Sequence, residues 1–214
     1  MKLKEMEAPA KLTMVRLALI PLFMIFIVYG FGMENAGKYT WPRIIAASLF
    51  LLACIVYVID KRVMRGRDIT KGFWGFLDVV ADRLVIFSAL LSICFSDYVL
   101  PNGFYENFFF WATAIIVFRE LVVIGICLTE ASMNVEHLFN NEPKQQKWLL
   151  WITSALQMIC IVVVILEPIF FSHKIFSEFR LLSLVITILT VVSTVVSCLY
   201  SIIAYKKYIT IQEN

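Results

Sequence analysis

Six long apolar runs, at 13–31, 41–60, 73–96, 108–129, 148–171 and 181–205, alternate with short polar segments along the chain. Each run is about 20 residues, which at 1.5 Å per residue in a helix matches a hydrocarbon core of about 30 Å. In lipid every backbone N–H and C=O has to be satisfied inside the segment, so runs of this length predict helices. The pattern therefore predicts an all-α integral membrane protein with six transmembrane helices. The first run is long, lacks a small-residue cleavage site and is followed by five more, so it reads as a retained helix. Residues 1–10, MKLKEMEAPA, are too short and polar to span and read as an interfacial segment leading into it.

Composition agrees with the pattern. Of 214 residues, 61% are hydrophobic and 16% charged, with a mean hydropathy of +0.84, well away from the balance of soluble domains. Thirteen Lys and Arg fall in the N-terminus through Arg16, the 60–72 and 130–147 loops and the C-terminus, against four in the alternate loops. The positive-inside rule then puts both termini and the 57–84 stretch on the cytoplasmic side. The net charge of +3 is accounted for by topology and attraction to anionic lipid, and nothing points to nucleic acid. Cys54, Cys94, Cys127, Cys160 and Cys198 all lie in apolar runs without paired spacing, which suggests neither a disulfide framework nor a zinc site. His137 and His173 read as solvated loop residues. With no linker, low-complexity tract or internal repeat, residues 1–214 read as one domain.

The chemistry concentrates in YVIDKRVMRGRDITKGFWGFLDVVADRL, residues 57–84. Asp78 and Asp82 are four apart, which on a helix puts them on one face a turn from each other. Asp60 closes the preceding run, and a tight return would bring it near that face. Ionisable residues inside a span are costly and mark function by default. Two readings fit the spacing: three carboxylates holding a hard divalent ion such as Mg²⁺ or Mn²⁺, or interhelical ion pairs with Lys61, Arg62 and Arg83 and no metal at all. Asp68, in the basic loop, reads as solvated.

This stretch resembles the signature of the CDP-alcohol phosphatidyltransferases, D-x2-D-G-x2-A-R-x8-G-x3-D-x3-D, and FLDVVADRL is most similar to the phosphatidylglycerophosphate synthase branch. PAKLTMVRLALIP, from Pro9 to Pro21, resembles that branch's opening motif, and IIVFRELVV and SALQM follow in the same order as their counterparts. The resemblance implies six membrane helices around a cytoplasm-facing polar site, a homodimer, and residence in a bacterial cytoplasmic membrane. It also implies four aspartates holding two divalent cations on the diphosphate of CDP-diacylglycerol, the last aspartate acting as base toward the acceptor alcohol. On that pattern Asp60, Asp78 and Asp82 are the metal ligands, Asp82 the base, and Arg65 and Arg119 contact substrate.

Four positions depart from the pattern. Tyr57 stands where the first aspartate belongs, Lys61 and Trp74 replace glycines, and Met64 replaces the alanine before Arg65. A phenol cannot replace the charge and lone pairs of a bridging carboxylate, and side chains at the glycine positions take up space a nucleotide would need. Lys61 could also stand in electrostatically for a metal beside Asp60. The basic residues expected near a phosphate are replaced by Leu150, Trp151, Ile152, Thr153 and Ser154. Arg16, Arg119 and Glu120 survive, and Arg119 and Glu120 fit either an anion pocket or an internal ion pair. The expectation is a degenerate family member, catalytically weak or inactive, serving as a membrane subunit that binds lipid or a protein partner. The alternative is an active enzyme that transfers a phosphatidyl group to glycerol 3-phosphate and releases CMP. A small transporter is disfavoured, because the runs lack paired helix-breaking Gly or Pro.

Overall fold

A computed structural model describes residues 8–29, 40–64, 73–96, 99–100, 103–132, 144–170 and 181–212, with the side chains at several helix ends outside the described set. Six helices make up the described residues: α1 (Ala8–Tyr29), α2 (Thr40–Met64), α3 (Phe73–Cys94), α4 (Phe104–Ser132), α5 (Lys144–Phe170) and α6 (Leu181–Gln212). All six apolar runs fold as helices. Three of them contain apolar spans long enough to cross a bilayer: Phe104–Ile126, Trp148–Glu167 and Leu181–Ala204. Helices α1 and α2 hold shorter apolar stretches, Thr13–Val28 and Ile44–Ile59. The interfacial segment expected at 1–10 lies outside the described residues, except that α1 already begins at Ala8.

Two boundaries differ from the sequence reading. Helix α2 continues to Met64, so Asp60 lies about a turn inside the helix rather than at its end. Arg16, counted with the N-terminal loop charges, sits within α1 and is only 1% exposed. The charge bias becomes twelve against four and keeps its sign, but this arginine is a core residue.

The helices arrange around α1 and α3. Helix α1 packs along both α2 and α3, α3 also packs on α4, and α6 packs on α4 and α5. Small residues explain the close approach of α2: Ala46, Ala47 and Ala53 are all buried, and next to them the Phe23 and Phe50 rings meet at 5.7 Å. Close backbone contact through small residues is how membrane helices gain dispersion energy, since lipid tails offer no hydrophobic drive for association. At the α3–α4 turn, Gly103 adopts φ 138°, a conformation open to glycine, and its carbonyl accepts from Asn107 N as α4 begins.

Helix α6 shows the inversion expected of a helix in lipid. Ser183, Thr187, Thr190, Thr194, Ser197 and Ser201, spaced four and three apart, are buried, whereas Leu181, Val185, Leu189, Val192, Val196, Leu199 and Ile203 are exposed. A soluble helix would bury the second set. Several hydroxyls satisfy themselves on their own helix: Thr187 Oγ1 donates to the Ser183 carbonyl at 2.6 Å and Thr190 Oγ1 to that of Ile186 at 2.8 Å. Apart from the Thr194 hydroxyl, which is buried without a partner, these bonds keep the desolvation penalty of the seam low while it faces α4 and α5.

Candidate functional site

Adjacent residues on α3 look in two directions and organise two buried polar clusters. Asp82, 12% exposed, is ion-paired to Arg16 of α1. The same guanidinium lies over the ring of Tyr57 on α2, its carbon 5.9 Å from the ring centroid. Three helices therefore converge on one buried arginine. Guanidinium over an aromatic face is attracted by the ring quadrupole, by about 0.5–2 kcal/mol depending on desolvation.

Arg83 turns to the opposite side. Its Nη1 donates to Glu120 Oε2 at 2.9 Å and to Ser154 Oγ at 3.3 Å. Glu120, 2% exposed, also accepts from Arg119 Nη1 at 2.6 Å and from Gln157 Nε2 at 2.8 Å, both on Oε1. Arg119 Nη2 reaches Ser197 Oγ of α6 at 2.9 Å. Glu120 is thus a buried carboxylate with three donors, and α3, α4, α5 and α6 are joined through it. Two guanidinium groups share the one carboxylate, and neutral partners, Ser154, Ser197 and Gln157, take up further hydrogen bonds, which makes the buried charges tolerable at this depth.

The structure gives the pair Arg119–Glu120 as an internal ion pair, one of the two options open from sequence. Asp82 and Tyr57 are brought together by Arg16, which the sequence reading had noted as a surviving motif residue without assigning it a contact. Asp60, Lys61 and Met64 in α2, and Trp74 and Asp78 in α3, have helical backbone, with their side chains outside the described set; Arg65 lies outside the described residues. No cluster of three metal-ligating side chains occurs among the described residues. Of the expected ligand set only Asp82 has a described side chain, and it is held by a guanidinium; position 57 presents a ring face to the same group.

Two buried residues escaped the sequence reading as participants. Gln157 is the glutamine of SALQM, and its signal was the motif match alone. Glu167, 5% exposed, caps α6 from the end of α5: its carboxylate accepts from Leu182 N at 3.2 Å, Ser183 N at 3.1 Å and the Ser183 hydroxyl. An acid at the end of one apolar run, followed by a serine that opens the next, was the available signal.

An all-helical bundle with apolar outer faces and charged clusters buried between its helices defines a polytopic membrane protein. The family model for CDP-alcohol phosphatidyltransferase matches residues 6–196, and the chain belongs to that family. It is 29% identical over 144 residues, 65% of this chain and 70% of the relative, to a CDP-diacylglycerol–glycerol-3-phosphate 3-phosphatidyltransferase of Bacillus subtilis. It is 32% identical over 112 residues to a probable phosphatidylglycerophosphate synthase of Mycobacterium tuberculosis, covering 52% of this chain and 47% of that one. A Pseudomonas fluorescens enzyme named like the Bacillus one is 28% identical over 124 residues, 56% of this chain and 54% of the relative. The chain thus spans about half the length of two of these three curated relatives.

Proposed function

We propose that this protein is a degenerate CDP-alcohol phosphatidyltransferase homologue, catalytically weak or inactive, that serves as a membrane subunit binding lipid or a protein partner. One observation carries the reading: the position of the first motif carboxylate is Tyr57, and its ring is covered by the Arg16 guanidinium that also holds Asp82. A site that must gather divalent cations on a diphosphate needs carboxylates free to accept them; here a motif position has become a cation-binding ring face. All six helices cross the membrane in this reading, with both termini in the cytoplasm of a bacterial cell, and the whole chain acts as one domain, as a homodimer or in a larger complex.

The relatives' names favour a second reading, an active phosphatidylglycerophosphate synthase-like enzyme. Asp82 would then be the base, Asp60 and Asp78 the further ligands of Mg²⁺ or Mn²⁺, and Arg65 and Arg119 the contacts to substrate. Purified protein incubated with CDP-diacylglycerol, Mn²⁺ or Mg²⁺ and a panel of alcohols separates the two. No CMP above a no-enzyme control is the expected result; CMP release abolished by Asp82→Asn would establish the enzyme reading instead.

A further inference from the structure

We infer that the exposed indoles of Trp148 and Trp151, where α5 enters the membrane, form a docking surface for anionic phospholipid. The inference deepens the lipid-binding side of the proposed function by naming the lipid class and the surface, and it rests on the membrane placement given there.

Helix α5 has two unlike faces at this end. Thr153, Ser154 and Gln157 are buried, toward α6 and the charged cluster around Glu120. Trp148, Trp151, Ile152 and Ile159 are exposed on the other face. The two indoles, 66% and 61% exposed, stand with ring centroids at 6.1 Å and planes at 67°, an edge-to-face pairing that holds them as one unit. Trp148 is also the first residue of the apolar span Trp148–Glu167. The pair therefore sits where hydrocarbon gives way to headgroups, the depth that suits both the apolar body and the N–H of an indole. Charge selects the lipid. Lys144 and Lys147 stand four residues before Trp148 and Trp151 in the same helix, about one turn further out, and the next acid along α5 is Glu167 at its far end. Glu142, just ahead of the helix, sets one acid against the two lysines and leaves the segment net positive. A cationic turn beside an aromatic pair at the membrane boundary complements a net-negative headgroup; a zwitterionic one gains less, because its own ammonium is repelled.

The test uses the full-length protein in symmetric vesicles of phosphatidylcholine and phosphatidylglycerol in equal parts, with brominated chains carried by one lipid or by the other. Bromine quenches indoles that touch the labelled lipid. The signal of the pair is the difference between wild type and Trp148→Phe with Trp151→Phe, a change confined to the exposed face. Quenching of the pair by brominated phosphatidylglycerol should exceed that by brominated phosphatidylcholine at least about twofold. Lys144→Gln with Lys147→Gln should bring the two to parity and leave quenching by phosphatidylcholine in place. Equal quenching of wild type by both lipids overturns the proposal, whether or not the lysine variant folds. A pair that neither lipid quenches overturns it too, the result expected of a face covered by a second copy or another protein, and so does a preference that survives in the lysine variant. CMP release in the activity assay would remove the degenerate-homologue reading and leave this surface standing, whereas equal quenching removes the surface alone.

Discussion

Replacing Glu120 by glutamine removes one charge from the centre of the bundle and almost no volume. The carboxylate takes hydrogen bonds from Arg83, Arg119 and Gln157 at 2.9, 2.6 and 2.8 Å. An amide in its place has one acceptor oxygen and brings two donors, aimed where donors already point. Arg119, 1% exposed, then loses its carboxylate while remaining buried. Removing one partner of a buried ion pair typically costs about 3–5 kcal/mol, because the other charge is left uncompensated. For a chain of this size each kcal/mol lowers the midpoint by about 2–4 °C, which gives a fall of about 6–20 °C. The assay is thermal unfolding of detergent-purified Glu120→Gln and wild type at one heating rate, followed by loss of the monodisperse chromatographic peak. A companion variant, Arg83→Met with Arg119→Met and Glu120→Leu, replaces the charges by apolar groups of similar size and should recover most of the loss. A Glu120→Gln shift below about 2 °C would refute the account of this carboxylate as the anchor of two buried guanidinium groups, since such a shift is within the size of a single neutral hydrogen bond in a membrane protein. A triple variant no better than the single would refute it as well.

Glu167→Ala removes the cap of α6, leaving Leu182 N and Ser183 N without their acceptor, and should cost about 1–2 kcal/mol, read as a lower unfolding midpoint; Glu167→Gln should recover only part. Ala46→Leu puts a large side chain at a fully buried position of α2 and should destabilise by about 1–3 kcal/mol through overpacking, whereas Ile55→Leu, on a lipid-facing position, should leave the midpoint unchanged. The variant Tyr57→Asp with Lys61→Gly and Trp74→Gly restores three positions of the family signature. It should gain Mn²⁺-dependent CMP release from CDP-diacylglycerol; continued absence of both CMP and metal binding would show that these positions do not account for the loss.

Much of the candidate site was legible in the sequence, and unevenly. The i, i+4 spacing of Asp78 and Asp82 placed them a turn apart on one helix, and both do lie in α3. Arg119 and Glu120 stood out because two adjacent charges inside an apolar run require partners. Their identity was not legible: the donors to Glu120 come from positions 37 residues away on either side, Arg83 and Gln157. Arg16 was misread as a loop charge because it lies near the N-terminal edge of its run, where a snorkelling arginine and a buried one look alike in sequence. The seam of Ser and Thr on α6 could have been seen as a stripe of period about 3.5, yet only its burial shows that the stripe faces inward.

What the sequence determined by itself was the helices and their medium. Runs of about 20 apolar residues leave the backbone no way to satisfy its polar groups except within each segment, so the helices needed no knowledge of their neighbours. The family pattern, and the tyrosine that breaks it, were likewise readable residue by residue. The pairing of charges was decided by tertiary structure. A buried arginine is compatible with any carboxylate its helix can reach, and lateral packing through Ala46, Ala47 and Ala53 sets how closely α1 approaches α2. That packing brings Arg16 between Tyr57 and Asp82, 41 and 66 residues along the chain, contacts that no spacing in the sequence could announce.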